Sequence, residues 1–442
     1  MTDLIFACAT PPGQSAIAIF RCSGEGSLAL AKRLSGKTLS HRIVQPSMIY
    51  DEAGVMLDEV MLLYLKAPHS PTGEDMLEIH CHGSVAVIEA LTDYLARQEG
   101  MRIANPGEFT QRAFANQKMD LTEIEGLADL IDAQSGDQRR QAIHQLKGAL
   151  RQKATKWRED IITLTARLES LIDFSDEDLP EEVEKDIEAK RDQLLDEIEI
   201  ALGDEGRGER IRNGVVVTLI GPVNAGKSTA LNALARRPAA IVSDEAGTTR
   251  DIVEVRLNLE GMAVSLLDTA GIRETDGEIE RIGIERAQQA AQTADLVLIM
   301  LDGTNPDWPV EWERLKNEVS APYITILNKT DLCDDVASVE GILPLSLHDE
   351  ADVKLLEQRL IEVIKPVNLS AQMPIITRAR HRQLLQKVRS GLLLSKENSF
   401  QCAPELVGED LRHAADALGQ MTGQIDVEDI LDDIFSSFCI GK

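Results

Sequence analysis

The sequence predicts a multidomain protein of the mixed α/β class. At 442 residues the chain exceeds the usual size of a single hydrophobic core, so two or three domains are expected. Near the middle, an apolar strand-like run breaks into a glycine-bounded loop and continues as a helix-like segment, which is typical of a parallel α/β unit. Helical spacing of apolar residues dominates both flanks of this region. An α/β domain set between helical segments is therefore expected.

The central unit reads VVVTLIGPVNAGKST, from Val215 to Thr229. β-Branched residues fill the strand, while Gly221 and Gly226 allow the loop to turn successive N–H groups toward phosphate oxygens. In such a loop Lys227 reaches the β- and γ-phosphates and the Ser228 hydroxyl ligates Mg²⁺. The alternative is an ordinary glycine turn of an α/β unit. The strand before the loop and the helix after it favour nucleotide binding.

Two further segments predict loops that respond to a γ-phosphate. In LLDTAG, Asp268 follows a second apolar strand and suits a partner of Mg²⁺, while the N–H of Gly271 can meet the γ-phosphate. AGTTRD, from Ala246 to Asp251, offers Thr249 as the Mg²⁺ ligand of a first switch loop. Each string is a weak signal alone, but their order and separation together form a strong one.

The stretch YITILNKTD predicts which base is bound. Asn328, Lys329 and Asp331 follow an apolar strand, and open α/β sheets bind ligands at the carboxyl ends of their strands. The carboxylate of Asp331 can accept the paired N1–H and N2–H donors of guanine, which adenine lacks. The motifs therefore predict a Ras-like P-loop domain that binds GTP.

The chain is strongly acidic, with 46 Lys and Arg against 74 Asp and Glu and a net charge of −28. This charge argues against non-specific binding to nucleic acid or to an anionic membrane. An RNA substrate would need a basic partner or a local basic patch. Six cysteines without CxxC spacing, no apolar leader and no run long enough to span a bilayer lead us to expect a reduced, cytoplasmic compartment without membrane association.

Residues 4–118 mix strand-like and helix-like patterns and predict an α+β domain. In GEDMLEIHCHGS, His80 and His82 would share one face of a strand, so a metal site would need ligands from elsewhere, and none is expected. NPGEFTQRAF is expected to form a turn that leads into a helix. Nothing in this domain by itself identifies a ligand.

Helical spacing begins after Met119, continues to Ile211 and returns beyond Pro374. The acidic run at 175–178 is expected to be a solvated loop between two helices. We therefore predict an N-terminal α+β domain at residues 1–118 and helical parts at 119–212 and 374–442. The GTPase domain at 213–373 is inserted between the helical parts, and nucleotide-driven motion in it could act on both.

Several strings together resemble the bacterial tRNA-modification GTPases of the MnmE (TrmE) family: HCHG, NPGEFTQRAF, GPVNAGKS, AGTTRD, DTAGIRE, NKTD and a terminal FCIGK. The resemblance covers essentially the whole chain, and FCIGK and NPGEFTQRAF are its most specific parts. It implies an N-terminal folate-binding domain that forms a homodimer, a helical domain, and a GTPase domain that dimerises when activated.

The resemblance also implies a partner and a reaction. Together with an FAD-containing partner, the MnmG protein, the family forms a heterotetrameric complex that acts on certain tRNAs. The one-carbon donor is 5-formyl- or 5,10-methylene-tetrahydrofolate. An aminomethyl or carboxymethylaminomethyl group is added to C5 of the wobble uridine, position 34.

Residues that match the family's folate contacts are Arg21, Glu78, Lys118 and Lys442. Their chemistry is suitable, because Arg and Lys pair with the glutamate carboxylates of a folate and a carboxylate accepts pterin N–H donors. Cys439 matches a cysteine that the family has been thought to use chemically. The alternative is a buried cysteine at a helix end.

Hydrolysis of GTP needs a substitute for the glutamine that Ras-type enzymes place after DxAG, because Ile272 stands there. The resemblance implies that Asn224 holds a K⁺ ion together with carbonyl groups of the loop around Ser243, Glu245 and Thr248. A cation there would stabilise charge that develops between the β- and γ-phosphates.

The resemblance further implies that Glu280, downstream of DTAGIRE, orients the attacking water, while an exposed surface glutamate is the alternative. The expected catalytic residues are thus Glu280, Lys227 and Cys439. The expected contacts to GTP and its ions are Asn224, Ala225, Gly226, Lys227, Ser228, Thr229, Ser243, Asp244, Glu245, Ala246, Gly247, Thr248, Thr249, Asp268, Thr269, Ala270, Gly271, Asn328, Lys329, Asp331, Ser346 and Leu347.

Three positions depart from the family pattern. GPVNAGKS lacks the common Arg-Pro in its second and third places, HCHGS replaces an HGHGG-like end, and Leu347 stands where alanine is usual. A larger side chain at 347 could shift the N–H that would meet guanine O6, and the guanine preference is expected to survive through Asp331.

The GTPase motifs alone also allow a second function class, a regulatory GTPase of ribosome assembly that acts as a binding switch. Arg21, Glu78, Lys118 and FCIGK favour the first class, because a switch needs no folate pocket.

Overall fold

The computed structural model describes residues 3–173, 181–237, 240–241, 253–268, 294–333, 339–368, 373–398, 403–425, 431, 434–436, 438 and 440–441. The chain divides into two compact units. The first comprises residues 1–128, 145–194 and 387–442, and the second comprises residues 129–144 and 195–386. The predicted boundaries after residues 118, 212 and 373 divide the chain more finely and stay predictions.

A mixed sheet forms the N-terminal part of the first unit. Its strands are β1 Leu4–Cys8, β2 Ile17–Ser23, β3 Val44–Tyr50, β4 Met56–Leu65, β5 Met76–His82 and β6 Met101–Ile103. They lie in the order β3-β4-β5-β2-β1-β6, and all neighbours are antiparallel except β1 and β6. The sheet thus brings β2 and β5, which are far apart in sequence, side by side at its centre.

Helices α1 Ser27–Ser35 and α2 Val85–Ala96 cover one face of this sheet, and α3 Glu108–Ala115 follows β6. The covered face is apolar, with Phe20, Leu62, Leu30 and Leu91 in one core. Because side chains alternate along a strand, the other residues of β2 to β5 point to the opposite face. That face is only partly covered by apolar packing.

The remaining helices connect and extend the two units. They are α4 Leu121–Asp132, α5 Gly136–Leu146, α6 Ala149–Asp173, α7 Glu181–Leu202, α8 Arg207–Asn213, α12 Ala379–Glu397 and α13 Pro404–Thr422. In the first unit, α6 and α13 pack antiparallel, since Gly408 lies against Leu168 and Gly419 against Arg158. Trp157 on α6 is fully buried.

The second unit contains a doubly wound sheet. Its strands are β7 Val215–Ile220, β8 Ala240–Ile241, β9 Val253–Leu259, β10 Met262–Asp268, β11 Leu296–Asp302, β12 Tyr323–Asn328 and β13 Ile342–Pro344. Its helices are α9 Lys227–Ala235, α10 Trp308–Glu318 and α11 Glu350–Asn368. The strand order is β13-β12-β11-β7-β10-β9-β8, parallel except that β9 runs antiparallel to both of its neighbours.

Buried strands explain where the site of this unit lies. β11 reads LVLIMLD and is buried along nearly its whole length, as expected for a parallel strand covered on both faces. Since β7, β11 and β12 are parallel neighbours, their carboxyl ends meet at one edge. The polar motifs that follow these strands are thereby brought together.

None of the described helices is long and apolar enough to cross a bilayer.

Candidate functional site

The loop between β7 and α9 has the backbone of a phosphate-binding turn. Gly221 adopts φ 150° and Gly226 φ 100°. A Cβ at these positions would lie 2.2 Å from the Met300 carbonyl oxygen and 2.1 Å from Asn328 Nδ2. Both glycines are therefore required by close packing as well as by their dihedral angles. Because α9 begins at Lys227, the N-terminus of the helix lies at the end of the loop, as in anion-binding sites.

Lys227 is held inside this loop. Its side chain is buried, and Nζ donates to the carbonyl oxygens of Gly221 and Pro222 at 2.7 and 2.8 Å. In this position the ammonium group can exchange carbonyl oxygens for phosphate oxygens when a nucleotide binds. Ser228 is exposed beside it in the first turn of α9. The role of its hydroxyl as a ligand of Mg²⁺ at the phosphates stays a prediction.

Asn328, at the end of β12, ties the phosphate loop to the segment after β13. Its Nδ2 donates to the Ala225 carbonyl at 3.0 Å, and its Oδ1 accepts from the Leu347 N–H at 3.3 Å. The side chain of Leu347 is buried in the core of the sheet. The extra bulk of leucine over alanine is therefore accommodated within the core. The contacts of Ser346 and Leu347 with guanine stay predictions.

The NKTD motif places a cation and a carboxylate at the same edge. Lys329 has φ 65°, a left-handed conformation that is uncommon for a residue with a side chain. Its Nζ lies 2.5 Å from Oδ2 of Asp302, which ends the neighbouring strand β11. Asp331 follows in the short turn Thr330–Leu332 and is exposed. An exposed carboxylate here can accept the N–H donors of guanine.

Sequence reasoning did not single out Asp302. Burial alone would raise the pKa of this carboxyl group, but hydrogen bonds from Lys329 and Thr304 outweigh burial and hold the pKa below its ordinary value. The available signal was an acidic residue that ends the apolar run LVLIMLD, because parallel strands with polar ends meet at one edge of the sheet.

Part of the predicted nucleotide site lies outside the described residues. This part comprises Ser243, Asp244, Glu245, Ala246, Gly247, Thr248, Thr249, Thr269, Ala270, Gly271 and Glu280. The backbone of Asp268 ends β10 and pairs with Leu219 of β7, one residue before the end of that strand. The roles assigned to these residues in binding Mg²⁺, K⁺ and the attacking water stay predictions.

Two of the predicted folate contacts meet on the less covered face of the N-terminal sheet. Arg21 on β2 pairs in register with Glu78 on β5, and Arg21 Nε donates to Glu78 Oε1 at 3.0 Å. Arg21 is 36% exposed and Glu78 13%. His80 Nε2 lies 3.3 Å from the other oxygen of Glu78, and His82 Nδ1 lies 2.8 Å from Asp58. Each of these imidazoles therefore has a carboxylate neighbour.

The C-terminal tail returns to the N-terminal sheet. Ile440 forms an isolated bridge with Pro106, and a Cβ on Gly441, which has φ 103°, would lie 2.6 Å from the Cys8 carbonyl oxygen. Cys439 and Lys442 lie outside the described residues. The remaining predicted contact, Lys118, packs over Gly73, since a Cβ there would lie 3.2 Å from Lys118 Cε.

The NPGEFTQRAF stretch builds an ion-pair network. Glu108 is buried and accepts hydrogen bonds from both terminal nitrogens of Arg102 at 2.8 and 2.6 Å, from Arg112 at 3.0 Å and from the Asn105 N–H at 2.8 Å. Arg112 also pairs with Glu74 at 3.0 Å. Burial raises the pKa of Glu108, but these hydrogen bonds outweigh it and the net pKa is lowered. The motif therefore holds the fold of this domain together.

A cavity of about 400 Å³ lies in the second unit, away from the phosphate loop. Its lining is polar and includes Asp129, Gln138, Arg212 and Arg256. One oxygen of Asp129 accepts from Arg212 Nε at 2.8 Å and from Arg378 Nη2 at 2.7 Å. Arg212 lies in α8, three residues before β7, and Arg378 directly precedes α12. Asp129 therefore joins the chain on both sides of the predicted GTPase domain.

Known proteins match this chain along its whole length. Residues 4–118 match the family model of the GTP-binding protein TrmE N-terminus, and residues 121–439 match that of the MnmE helical domain. The tRNA modification GTPase MnmE of Hyphomonas neptunium is 44% identical over 443 residues, which cover 100% of this chain and 99% of the relative. The protein of that name from Caulobacter vibrioides is 44% identical over 452 residues, which cover 100% of both chains.

A solved structure also matches part of the chain. A crystal structure of Aquifex aeolicus Era is 25% identical and covers 41% of this chain and 68% of that one, with a TM-score of 0.28. An overlap of this size does not add to the assignment, which rests on the full-length relatives and the two family models. The chain belongs to the MnmE (TrmE) family of tRNA modification GTPases.

Proposed function

We propose that this GTPase is one subunit of an enzyme that modifies C5 of the wobble uridine, position 34, of tRNA. A tetrahydrofolate supplies the one-carbon unit, and an FAD-containing partner of the MnmG type joins the chain in a heterotetrameric complex. The product carries an aminomethyl or carboxymethylaminomethyl group. The proposal is carried by the return of the C-terminal tail to the N-terminal sheet, at Ile440 and Gly441. Family membership favours it over a ribosome-assembly switch.

The chemistry of the N-terminal sheet fits a folate. Arg21 and Lys118 are cations with accessible surface, and Lys442 would add a third; guanidinium and ammonium groups pair with the glutamate carboxylates of a folate. Glu78 can accept pterin N–H donors. The ligand would be 5-formyl- or 5,10-methylene-tetrahydrofolate. Cys439 stays a candidate for the chemistry of the one-carbon transfer.

A homodimer is supported by exposed apolar residues on the less covered face of this sheet. Ile17, Met48, Tyr50 and Met61 are 59, 52, 46 and 47% exposed. Apolar side chains concentrated on one face of a sheet mark an interaction surface. A second copy on this face would lie next to the Arg21–Glu78 pair and close the folate site.

For GTP hydrolysis, Lys227 would bind the phosphates and Ser228 would ligate Mg²⁺, with Thr249 and Asp268 as its further partners. Asn224 is exposed within the phosphate loop and has φ 65°, and its amide oxygen would contact a K⁺ ion. K⁺ would supply positive charge between the β- and γ-phosphates, and the activated GTPase domains would associate.

A further catalytic group is Glu280, which would orient the attacking water.

The enzyme would work in the cytoplasm without a membrane partner. tRNA would be held mainly by the FAD-containing partner, because a net charge of −28 disfavours binding of a polyanion.

The first test is single-turnover GTP hydrolysis in K⁺ and in Na⁺ at the same ionic strength. K⁺ is expected to accelerate hydrolysis strongly and to promote association of the GTPase domains with a transition-state mimic. Asn224→Ala is expected to remove the K⁺ stimulation and leave a slow basal rate. Stimulation that persists in Asn224→Ala would reject the ion assignment.

Glu280→Ala is expected to lower the hydrolysis rate by about 100-fold or more, with GTP affinity nearly unchanged, because general acid–base and water-orienting groups act in the transition state. Glu278→Ala, two residues away, serves as the matched control. An equal loss of GTP affinity and turnover would contradict the role of Glu280.

Folate binding separates the two function classes. Equilibrium dialysis with 5-formyl-tetrahydrofolate is expected to show binding that Arg21→Ala weakens. No binding at saturating ligand would reject the modification role and leave a GTP-binding switch.

A further inference from the structure

One segment of this acidic chain has the opposite charge. Between Gln138 and Arg158 there is no Asp or Glu. The same 21 residues contain seven basic ones: Arg139, Arg140, Lys147, Arg151, Lys153, Lys156 and Arg158. In a chain with 74 acidic residues, such a gap is a pronounced local reversal of the net charge.

The part of this segment that belongs to the first unit forms an exposed surface. Lys147, Arg151, Lys153 and Lys156 are all exposed, and we call these four the basic surface. They surround the first two turns of α6, whose opposite side is buried through Leu150 and other apolar residues. Within α6, the rise from Arg151 to Lys156 is about 7.5 Å, at about 1.5 Å per residue, and Lys147 lies in the turn that precedes the helix.

Neighbouring residues fix the geometry of this surface. Arg151 Nη1 donates to Glu123 Oε2 at 2.9 Å, and its Nε lies 3.8 Å from Asp120, so two acids of α4 and its cap hold the arginine. Lys153 Nζ lies 5.8 Å from the ring centroid of Trp157, which is buried. These contacts hold Arg151 and Lys153 near the start of α6.

The composition of the surface indicates the kind of partner. Every exposed side chain from Lys147 to Lys156 is charged or polar, the fifth being Gln152. Protein–protein interfaces have a core of aromatic and apolar side chains, which this stretch lacks. Lysines on a polar surface instead suit phosphate groups, which they meet as point charges.

We infer that the basic surface binds the sugar–phosphate backbone of the substrate tRNA. This inference rests on the proposed function, in which the chain modifies tRNA with its partner. Contacts to phosphates position a nucleic acid without reading its sequence, so the surface would orient tRNA relative to this unit and leave sequence recognition to other groups. Its positive charge would attract the tRNA phosphates locally, although the net negative charge of the chain repels them.

The test measures binding of an unmodified tRNA transcript to the full-length chain, alone and in complex with its FAD-containing partner, over a range of salt concentrations. The variant is Lys147→Gln/Lys153→Gln/Lys156→Gln. Removal of each lysine that meets a phosphate is expected to weaken binding roughly five- to eightfold at 0.1 M salt and to lower the slope of log K against log salt by about 0.7–0.9. Lys32→Gln/Lys37→Gln/Lys354→Gln is the control, since it removes the same charge from exposed positions elsewhere.

Support requires weaker binding and a smaller salt slope in the first variant only. Unchanged affinity, or an equal loss in the control, would overturn the inference. So would a variant that loses its protein partner while direct tRNA affinity persists, because the surface would then bind an acidic protein. GTP hydrolysis and folding are checked in parallel. If the wild-type complex leaves position 34 unmodified, the proposed function itself fails, independently of this result.

Discussion

A single carboxylate positions the side chain of Lys329 at the edge of the sheet. Asp302 holds Nζ at 2.5 Å, and its other oxygen accepts from the backbone N–H and the hydroxyl of Thr304 at 3.0 and 2.7 Å. Lys329 is therefore fixed at both ends, by its left-handed backbone and by this ion pair. Such fixing lowers the entropy that the side chain would lose when a nucleotide binds beside it.

We predict that Asp302→Asn weakens GTP binding about tenfold, which corresponds to about 1.4 kcal/mol and is typical of a hydrogen bond to a charged group. Binding is measured by titration with a fluorescent GTP analogue. Asp307→Asn, in the same loop but exposed, is expected to bind GTP as the wild type does. Equal affinities for all three proteins would show that the ion pair has no positioning role.

A second acid, Asp120, links the stability of the first unit to pH. It caps α4, where Oδ1 accepts from the Glu123 N–H at 2.9 Å and Glu123 Oε2 accepts from the Asp120 N–H at 2.9 Å. Burial raises the pKa of Asp120 from 3.8 to about 6, although the hydrogen bonds that its carboxylate accepts from the Glu123 N–H and the Thr122 hydroxyl act in the opposite direction. The folded protein therefore binds this proton more tightly than the unfolded chain does.

Ionisation of Asp120 therefore lowers the free energy of unfolding by at most about 3 kcal/mol as the pH rises from about 4 to about 6. Asp120→Asn keeps a capping oxygen and has no charge to ionise. We expect the difference in free energy of unfolding, mutant minus wild type, to increase over this pH range in denaturant titrations. Asp93→Asn, exposed on α2, is the control. A difference that stays constant from pH 4 to pH 7 would contradict the linkage.

At the scale of elements, the contact between α4, α8 and the start of α12 depends on Asp129. This side chain is 13% exposed and accepts hydrogen bonds from Arg212 and Arg378, which are 32 and 20% exposed. Two guanidinium groups share one carboxylate oxygen, so removal of the acid leaves two neighbouring cations facing each other.

We predict that Asp129→Ala destabilises the second unit by about 2–3 kcal/mol, below the range for fully buried pairs because both arginines retain some solvent. Unfolding of this unit is followed by release of a fluorescent guanine nucleotide during guanidinium titration. Asp132→Ala, on the same helix, is expected to change the midpoint little. Similar midpoints for the two variants would show that the shared pair contributes nothing.

Local patterns explain which elements could be predicted from the sequence. The strand, loop and helix from Val215 onward are encoded within about 20 residues, as is the NKTD strand end, and the structure places both at one sheet edge. Contacts between distant residues were not predictable in this way. Asp302 at the end of β11 contacts Lys329, which follows the neighbouring strand β12. Glu108 contacts Arg102 across the turn before α3, where the motif predicts only the start of a helix.

At the scale of the whole molecule, the residues around Gly441 contact residues around Cys8 that are distant in sequence. Gly441 lies so close to the Cys8 carbonyl oxygen that a side chain at 441 is excluded, and its φ of 103° favours glycine as well. The tail therefore cannot keep its place on the N-terminal sheet if this residue changes.

We predict that Gly441→Val lowers affinity for 5-formyl-tetrahydrofolate at least about tenfold, the loss of roughly one charged contact, and leaves GTP hydrolysis unchanged. Folate affinity is measured by equilibrium dialysis. Gly54→Val is the control, because Gly54 also has a positive φ but a Cβ at that position would meet no described atom within 4 Å. Unchanged folate affinity in Gly441→Val would separate the tail from the folate site.

Closure of the N-terminal sheet by the tail has a consequence for synthesis of the protein. The strands of that sheet are synthesised before the GTPase domain, whereas the residues that pack on Cys8 and Pro106, Gly441 and Ile440, are synthesised after it. At about 5–20 residues per second, the roughly 340 residues between the end of β6 and Gly441 take from about 17 to about 68 seconds to add, and the nascent domain lacks its final contacts during that time. A prematurely terminated chain can therefore carry an intact GTPase and still lack a finished N-terminal site, so full-length translation is a condition for that site to form.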